Sequence, residues 1–135
     1  FTMIKGPHSE TSDYFGSSTL LSGNGQSLLI AARGSDSSHD GLNGYGSDDD
    51  NEDFNRGIVY LYKLVDGIWT IKGSVSSPYD FDPQTTAAHD LSKDDRCGTA
   101  LTATSDFSTV ALGCYGASIW PDTGKINFAG EVFIY

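Results

Sequence analysis

The sequence contains few of the features that mark helical, membrane-spanning or nucleic-acid-binding proteins. No apolar run approaches the roughly 18 residues that cross a bilayer, and strong helix formers are scarce. Only 8 residues are Lys or Arg against 18 Asp or Glu, which gives a formal charge of −10 at pH 7. Because binding to phosphate groups requires clustered cations, this charge argues against nucleic acids and anionic membrane surfaces as partners.

Signatures of catalysis are also missing. No nucleophile elbow, P-loop, HExxH motif or dinucleotide fingerprint occurs in the sequence. The three histidines, His8, His39 and His89, lie in predicted loops, and the spacing of the abundant Asp residues selects no carboxylate pair for glycoside hydrolysis. We therefore expect a binding or assembly protein that is not an enzyme.

The residues that are abundant indicate an all-β protein. Gly, Ser, Thr, Asp and Tyr are frequent, and short β-rich runs are broken by Gly and Asp turns. This pattern is typical of sheets joined by many hairpins. No initiator Met or basic leader precedes Phe1, so we interpret the chain as a mature or excised segment.

An internal repeat organises the chain. The sequence DYFGSS at 13–18 resembles DRCGTA at 95–100, and the same offset of 82 residues aligns 28–32 with 110–114. A second match, at an offset of 73 residues, aligns GIVYLY at 57–62 with GEVFIY at 130–135. The connecting loop is therefore nine residues shorter in the second copy.

Each copy predicts three strands, which we call A, B and C. They cover residues 16–22, 27–32 and 57–64 in the first copy, and 98–104, 109–114 and 130–135 in the second. Gly23-Asn24 and Ser105-Asp106 are predicted to be two-residue hairpin turns. Strand C alternates, with Val59 and Leu61 on one face and the tyrosines between and after them on the other. A fourth strand, D, follows at 68–73 in the first copy only.

The start of the chain resembles strand D. Residues 1–6 share the ending Ile-Lys-Gly with residues 68–73. We predict an outer strand at 1–6, a four-stranded antiparallel blade at 7–76, and a second blade at 77–135 that residues 1–6 of another copy complete. Excision from a longer repeat chain and closure of the chain on itself are the alternatives. The predicted assembly residues are Phe1, Thr2, Met3, Ile4, Lys5, Gly6, Val132, Ile134 and Tyr135.

These motifs, in this order, resemble FG-GAP repeats, the blades of integrin-α-type β-propellers. The resemblance rests on Asp13-Tyr14-Phe15-Gly16, on strands B and C, and on the Trp69 that follows. It implies four-stranded propeller blades, an extracellular location, and a role in adhesion or ligand binding. The second copy departs from the pattern with Cys97-Gly98 in place of Phe-Gly, and neither A–B turn carries the family's Asp-rich calcium loop.

The two cysteines are predicted to form a disulfide. With a two-residue turn at Ser105-Asp106, Cys97 on strand A faces Cys114 on strand B. Directly opposed residues in an antiparallel pair have Cα atoms about 4.5–5.5 Å apart, a distance that suits a disulfide. The alternative is a pair of buried free thiols. A disulfide fits an oxidising compartment and therefore a secreted protein.

A long acidic loop separates strands B and C in the first copy. Its oxygen-rich side chains suit Ca²⁺, and a solvated surface loop without a metal is the alternative. The candidate calcium ligands are Asp36, Asp40, Asp48, Asp50 and Glu52. Loop aromatics Tyr45 and Trp120 are candidate glycan contacts, or they pack their own loops.

The function expected from these observations is that of an extracellular structural or adhesive repeat protein. Copies would assemble head to tail, as a filament or a ring, through strand complementation. The alternative is a calcium- or glycan-dependent binding segment of a longer secreted β-propeller. The expected partners are other copies of the chain, with glycans or cell-surface proteins as further candidates. No cofactor is certain, and calcium is the candidate.

Overall fold

Two antiparallel sheets make up the structure, a computed structural model that describes residues 2–7, 10–36, 55–76, 94–118 and 126–135. The first sheet has the strand order β1-β2-β3-β4 and the second the order β5-β6-β7. No helix occurs in these residues, so the predicted all-β class is confirmed. The strands are β1 (Phe15–Leu21), β2 (Ser27–Ala32), β3 (Ile58–Val65), β4 (Ile68–Val75), β5 (Cys97–Ala103), β6 (Val110–Cys114) and β7 (Glu131–Ile134).

The A–B hairpins have wider turns than the sequence predicted. In the first copy the Ser22 N–H donates to the Ser27 carbonyl, which leaves four residues in the turn instead of two. The Thr104 N–H donates to the Thr109 carbonyl in the same way in the second copy. The hydroxyls of Ser22 and Thr104 accept the N–H groups of residues 27 and 109 and so stabilise the wider turns. The prediction of two-residue turns was therefore wrong.

The two copies share one backbone path. Non-glycine residues rarely adopt a positive φ, yet every described residue of the second copy that does so has a counterpart in the first. The coincidence includes side chains as different as those of Gly25 and Phe107. The pairs at the offset of 82 are Ser12 with Asp94, Tyr14 with Arg96, Gly16 with Gly98 and Gly25 with Phe107, and those at the offset of 73 are Asn55 with Phe128 and Gly57 with Gly130.

The principal core lies between the two sheets. Leu29, Ala31 and Val59 of the first sheet pack with Leu112 and Cys114 of the second. The opposite face of the first sheet forms a separate cluster, whose buried members are Ile30, Ala32, Ile58, Tyr60 and Tyr62. The predicted alternation in strand C is therefore confirmed, because Val59 and Tyr60 belong to different clusters.

The start of the chain lies on this second cluster. Among residues 2–7 no strand forms, although the sequence predicted one at 1–6; Phe1 itself lies outside the described residues. Ile4 packs against the Tyr60 and Tyr62 face, and the Tyr62 hydroxyl donates to the Lys5 carbonyl at 3.4 Å. A strand requires a partner strand that completes its ladder of hydrogen bonds. The segment lies on the face of the first sheet, and no described strand pairs with it.

The close packing around Gly116 leads to a stability prediction. The Gly116 N–H donates to the Asp95 carbonyl, and a Cβ at Gly116 would lie 1.6 Å from the Asp94 carbonyl oxygen. We expect Gly116→Ala to lower the free energy of unfolding by about 3 kcal/mol, the upper part of the usual overpacking range. Gly25→Ala is the control, because its Cβ would meet nothing within 4 Å and its left-handed φ costs only about 1 kcal/mol. Equal losses for the two variants in urea denaturation would contradict this account.

Candidate functional site

The two cysteines form the predicted disulfide, although the pairing of the strands around it differs from the predicted register. Their sulfur atoms are 1.97 Å apart, and both side chains are fully buried. With the four-residue turn, continuous pairing of β5 with β6 would place Cys97 opposite Gly116. A bulge between Cys97 and Ala100 shifts the register by two residues and returns Cys97 to Cys114. The predicted pairing is correct because the wider turn and the bulge, neither of which was predicted, shift the register by two residues in opposite directions.

The same bulge determines how closely the two sheets approach. Gly98 has a φ of +88° inside it, and a Cβ there would lie 2.7 Å from the Ala31 side chain and 3.1 Å from that of Val59. Gly16 is its counterpart in the first copy, with a φ of +91°, but a Cβ there would meet nothing within 4 Å. The space beside the bulge glycine is thus filled by the first sheet at Gly98, whereas it is open at Gly16.

Backbone hydrogen bonds join the sheets at one end of the contact. The Arg96 N–H donates to the Asn55 carbonyl, and the Cys97 N–H to the Arg56 carbonyl, both at 2.9 Å. At the opposite end the Gly23 N–H in one A–B turn donates to the Ser105 carbonyl in the other at 2.8 Å. The bond between the turns joins equivalent residues of the two copies, because the offset of 82 aligns Gly23 with Ser105.

The outer side of β7 is an edge within the described residues. Val110 and Tyr135 exchange two backbone hydrogen bonds. Because hydrogen-bonded pairs alternate along an antiparallel ladder, the N–H and C=O groups of Val132 and Ile134 point away from β6. Their side chains are 68% and 72% exposed. In the first sheet β4 occupies the corresponding side of β3.

The third predicted assembly residue of this strand has a different position. The Tyr135 ring packs against the core between the sheets, and its hydroxyl donates to the Ser76 carbonyl at 2.7 Å. Tyr135 therefore joins the two sheets of one chain, whereas Val132 and Ile134 project from the opposite face. Thr2 and Met3 are exposed, and Met3 is the most exposed hydrophobic residue at this end of the chain.

We call the side of the second sheet that points away from the first its outer face. A shallow, mostly apolar depression of about 330 Å³ lies on this face, between Ala100, Gly113, Tyr115 and Val132. Glu131 lies at its rim, and partial burial raises the pKa of that carboxyl group. The outer face is formed by Ala100, Thr102, Ala111, Gly113, Val132 and Ile134.

A polar cavity of about 370 Å³ lies where loops of the two copies meet. The Arg33 guanidinium stands 4.8 Å from the centre of the Tyr14 ring. Arg96 stands 5.5 Å from the centre of the Tyr115 ring and forms an ion pair with Asp94 at 3.2 Å. Hydrogen bonds to Tyr115 and Asp94 raise the pKa of Arg96. The lining residues are Thr11, Ser12, Tyr14, Arg33, Gly34, Asp36, Asn55 and Arg96.

These two cation–π pairs are counterparts with the residues exchanged. The offset of 82 places Tyr14 on Arg96 and Arg33 on Tyr115. The sequence reasoning missed both pairs. The signal was available in the aligned copies, where the tyrosine–arginine order at the two positions is reversed.

Asp36 is the one predicted calcium ligand that belongs to the described residues. Asp40, Asp48, Asp50 and Glu52 lie outside the described residues, as do Tyr45, Trp120 and the three histidines. The Asp36 carboxylate accepts the Asn55 N–H at 2.6 Å, and this hydrogen bond stabilises the segment before β3. Within the described ranges no three His, Cys, Asp or Glu side chains come together as a metal site. Calcium binding stays a prediction.

Comparisons with known proteins give no relatives for the chain. No protein-family model, curated protein or solved structure matches it. The part of the chain that the structure describes contains no helix long and apolar enough to cross a membrane. The resemblance to FG-GAP repeats therefore rests on the residues alone and stays a prediction.

The disulfide leads to a second stability prediction. It closes a loop with a sequence separation of 17, and the double variant Cys97→Ala, Cys114→Ala should lose about 3 kcal/mol of unfolding free energy. Urea denaturation measures this loss. Reducing the unmodified chain should produce a similar loss, and the reductant should leave the double variant unchanged. A double variant that unfolds at the urea concentration of the oxidised chain would refute a stabilising disulfide.

Proposed function

We propose that the chain is an extracellular structural or adhesive module whose copies join head to tail by strand complementation. Residues 2–6 of one copy pair with the outer side of β7 of another. The two sheets are then propeller-type blades of the FG-GAP kind, the first with its own fourth strand β4 and the second completed by its neighbour. The support comes from the duplicated backbone, from the edge at β7 and from the position of the first residues.

Two equivalent tyrosines carry this proposal. Tyr62 and Tyr135 are counterparts at the offset of 73, and each hydroxyl donates to a backbone carbonyl of the preceding unit. Tyr135 bonds to Ser76, directly after β4, and Tyr62 bonds to Lys5, in the segment whose sequence resembles β4. The first residues therefore contact the first sheet as the residue after β4 contacts the second, although the sequence match aligns Lys5 with Lys72 and not with Ser76. This contact supports the proposal that they serve as the fourth strand of a preceding sheet.

The edge of β7 has the chemistry that strand addition requires. Among the described residues no strand pairs with the outward-pointing backbone groups of Val132 and Ile134. Each ladder hydrogen bond that an added strand forms contributes about 1 kcal/mol of net stability. A contact between two different surfaces of the same chain is heterologous, so repeated addition gives a ring if it closes and a filament if it does not. Either product suits a structural or adhesive role that needs no catalysis.

The extracellular location rests on the disulfide and on the charge. Disulfides persist mainly in oxidising compartments, and the bond between Cys97 and Cys114 is buried beneath the first sheet. A net charge of −10 keeps individual modules soluble and limits indiscriminate association.

The polar cavity favours a second candidate, a ligand-binding segment of a longer secreted β-propeller. Two arginines, Arg33 and Arg96, line it together with the polar residues Ser12 and Asn55. These groups suit a glycan or a polar loop of a cell-surface protein. A glycan array with the chain and its Arg33→Ala variant tests this candidate, because binding that depends on Arg33 supports it and the absence of any bound glycan at high protein concentration counts against that ligand class.

Strand complementation predicts an effect of proline at the edge of β7. The Val132 N–H points outward, so Val132→Pro removes an edge donor and leaves the β6–β7 hydrogen bonds in place. We expect association to weaken about tenfold, equivalent to about 1.4 kcal/mol. Light scattering coupled to size-exclusion chromatography measures it across a concentration series.

Val132→Ala is the matched control, since it trims the side chain and keeps the donor. Removal of residues 1–6 should abolish assembly. Proline and alanine variants with the same association constant, or assemblies that survive the removal, would show that copies join in another way. A chain that stays monomeric at high concentration would end the proposal.

A further inference from the structure

The contact between the two sheets of one chain is centred on β5. This strand contacts β1, β2 and β3 of the first sheet. At its start Gly98 fits against Ala31 and Val59, at distances that leave no room for a Cβ. The contact therefore has two halves, an apolar sheet face that includes Ala31 and Val59, and a strand that begins with a glycine in a bulge.

The repeat provides each half a second time, and both second halves are unoccupied among the described residues. The counterparts of Ala31 and Val59 are Gly113 and Val132, which lie on the outer face of the second sheet beside its apolar depression. The counterpart of Gly98 is Gly16 of β1, where a Cβ would meet nothing within 4 Å. Leu21 at the end of β1 is 56% exposed.

We propose that the outer face of the second sheet binds β1 of a second copy of this chain, in the arrangement by which the first sheet binds β5. The inference rests on the proposed head-to-tail assembly and defines its interface. Gly16 of the second copy packs against Gly113 and Val132. The contact propagates, because each added copy again presents an outer face at one end and the open Gly16 and exposed Leu21 of β1 at the other.

Backbone hydrogen bonds extend the correspondence. Within the chain the carbonyls of Asn55 and Arg56 accept N–H groups at the start of β5. Their counterparts are the carbonyls of Phe128 and Ala129, which accept no hydrogen bond from the described residues. In the assembly they accept the N–H groups of Tyr14 and Phe15 of the second copy.

The side chains at this junction also fit a contact between copies. Tyr14 is 55% exposed and Phe128 is 67% exposed. Both have a left-handed φ, as do the residues at the corresponding positions of the other copy. Within the chain the same two places hold Arg96 and Asn55, which share the carboxylate of Asp94. The junction between copies therefore brings two exposed aromatic rings together, one of them stacked on Arg33, where the junction within a copy has an ion pair.

A second copy fits this face better in the head-to-tail arrangement than back to back. A symmetric contact of two outer faces would leave Gly16 and the rest of β1 open and would use none of the bonds described above. The opposite face of the first sheet is already covered, because Ile58 and Tyr62 are 2% and 5% exposed. The contact therefore uses β1, the open edge of that sheet.

A cross-linking experiment tests the arrangement. Tyr14→Cys and Phe128→Cys are prepared as two separate full-length variants, with the native disulfide intact, and are treated with a short bis-maleimide separately and as a mixture. We expect cross-linked dimers from the mixture only. Ile68→Cys, at an equally exposed position on β4, replaces Phe128→Cys in the control mixture, which should give none.

The outcomes separate this inference from the proposed function. Dimers from Phe128→Cys alone would establish a back-to-back contact and overturn the inference. An unmodified chain that assembles, without cross-linking in the mixture, would overturn the inference and leave strand complementation standing. An unmodified chain that stays monomeric at high concentration would overturn both.

A charge on the outer face gives an independent measurement. Ile134→Lys places an ammonium group within the proposed contact and should raise the dissociation constant of the assembly at least tenfold. Ile68→Lys, with a similarly exposed isoleucine elsewhere, should change it less than twofold. Equal effects of the two substitutions would show that the outer face is not the contact.

Discussion

A glycine in a β-bulge at the start of each A strand is the constraint on which the rest of the structure depends. At Gly98 the left-handed backbone shifts the ladder by two residues, which brings Cys97 opposite Cys114. The missing side chain lets Ala31 and Val59 approach within contact distance. Any larger residue there would be strained by the positive φ and would force the sheets apart. Register, disulfide and sheet packing thus share one cause.

Duplication of this unit makes the chain directional. A contact between two equivalent units uses a different surface of each unit. One chain of two units therefore contains one such contact, and each of the two surfaces occurs once more without a partner unit in the chain. The outer face with Val132 and Ile134 lies at one end, and Gly16 with β1 lies at the other. In the assembly that we propose, these two surfaces meet in a heterologous contact, which gives a ring or a filament according to whether the rotation between units closes.

Much of the architecture could be predicted because its signals are local. Alternation of apolar side chains defines strand C in both copies, and Asp66-Gly67, with φ values of 52° and 79°, forms the tight turn between β3 and β4. The widths of the A–B turns were missed, since they depend on hydroxyl groups that bond across the hairpin. The cation–π pairs were missed because each joins residues about 19 positions apart, one just before a strand and one just after the next strand.

The sequence by itself determined the all-β class, the duplication and the resemblance of the first residues to β4, because composition, period and turn chemistry are properties of short segments. Only the tertiary structure decided that Gly98 is enclosed and Gly16 open, that Tyr135 turns inward while Val132 and Ile134 face outward, and that Ile4 rests on the first sheet. These are questions of which surface meets which. They depend on the packing of segments far apart in the chain, and no local pattern encodes that packing.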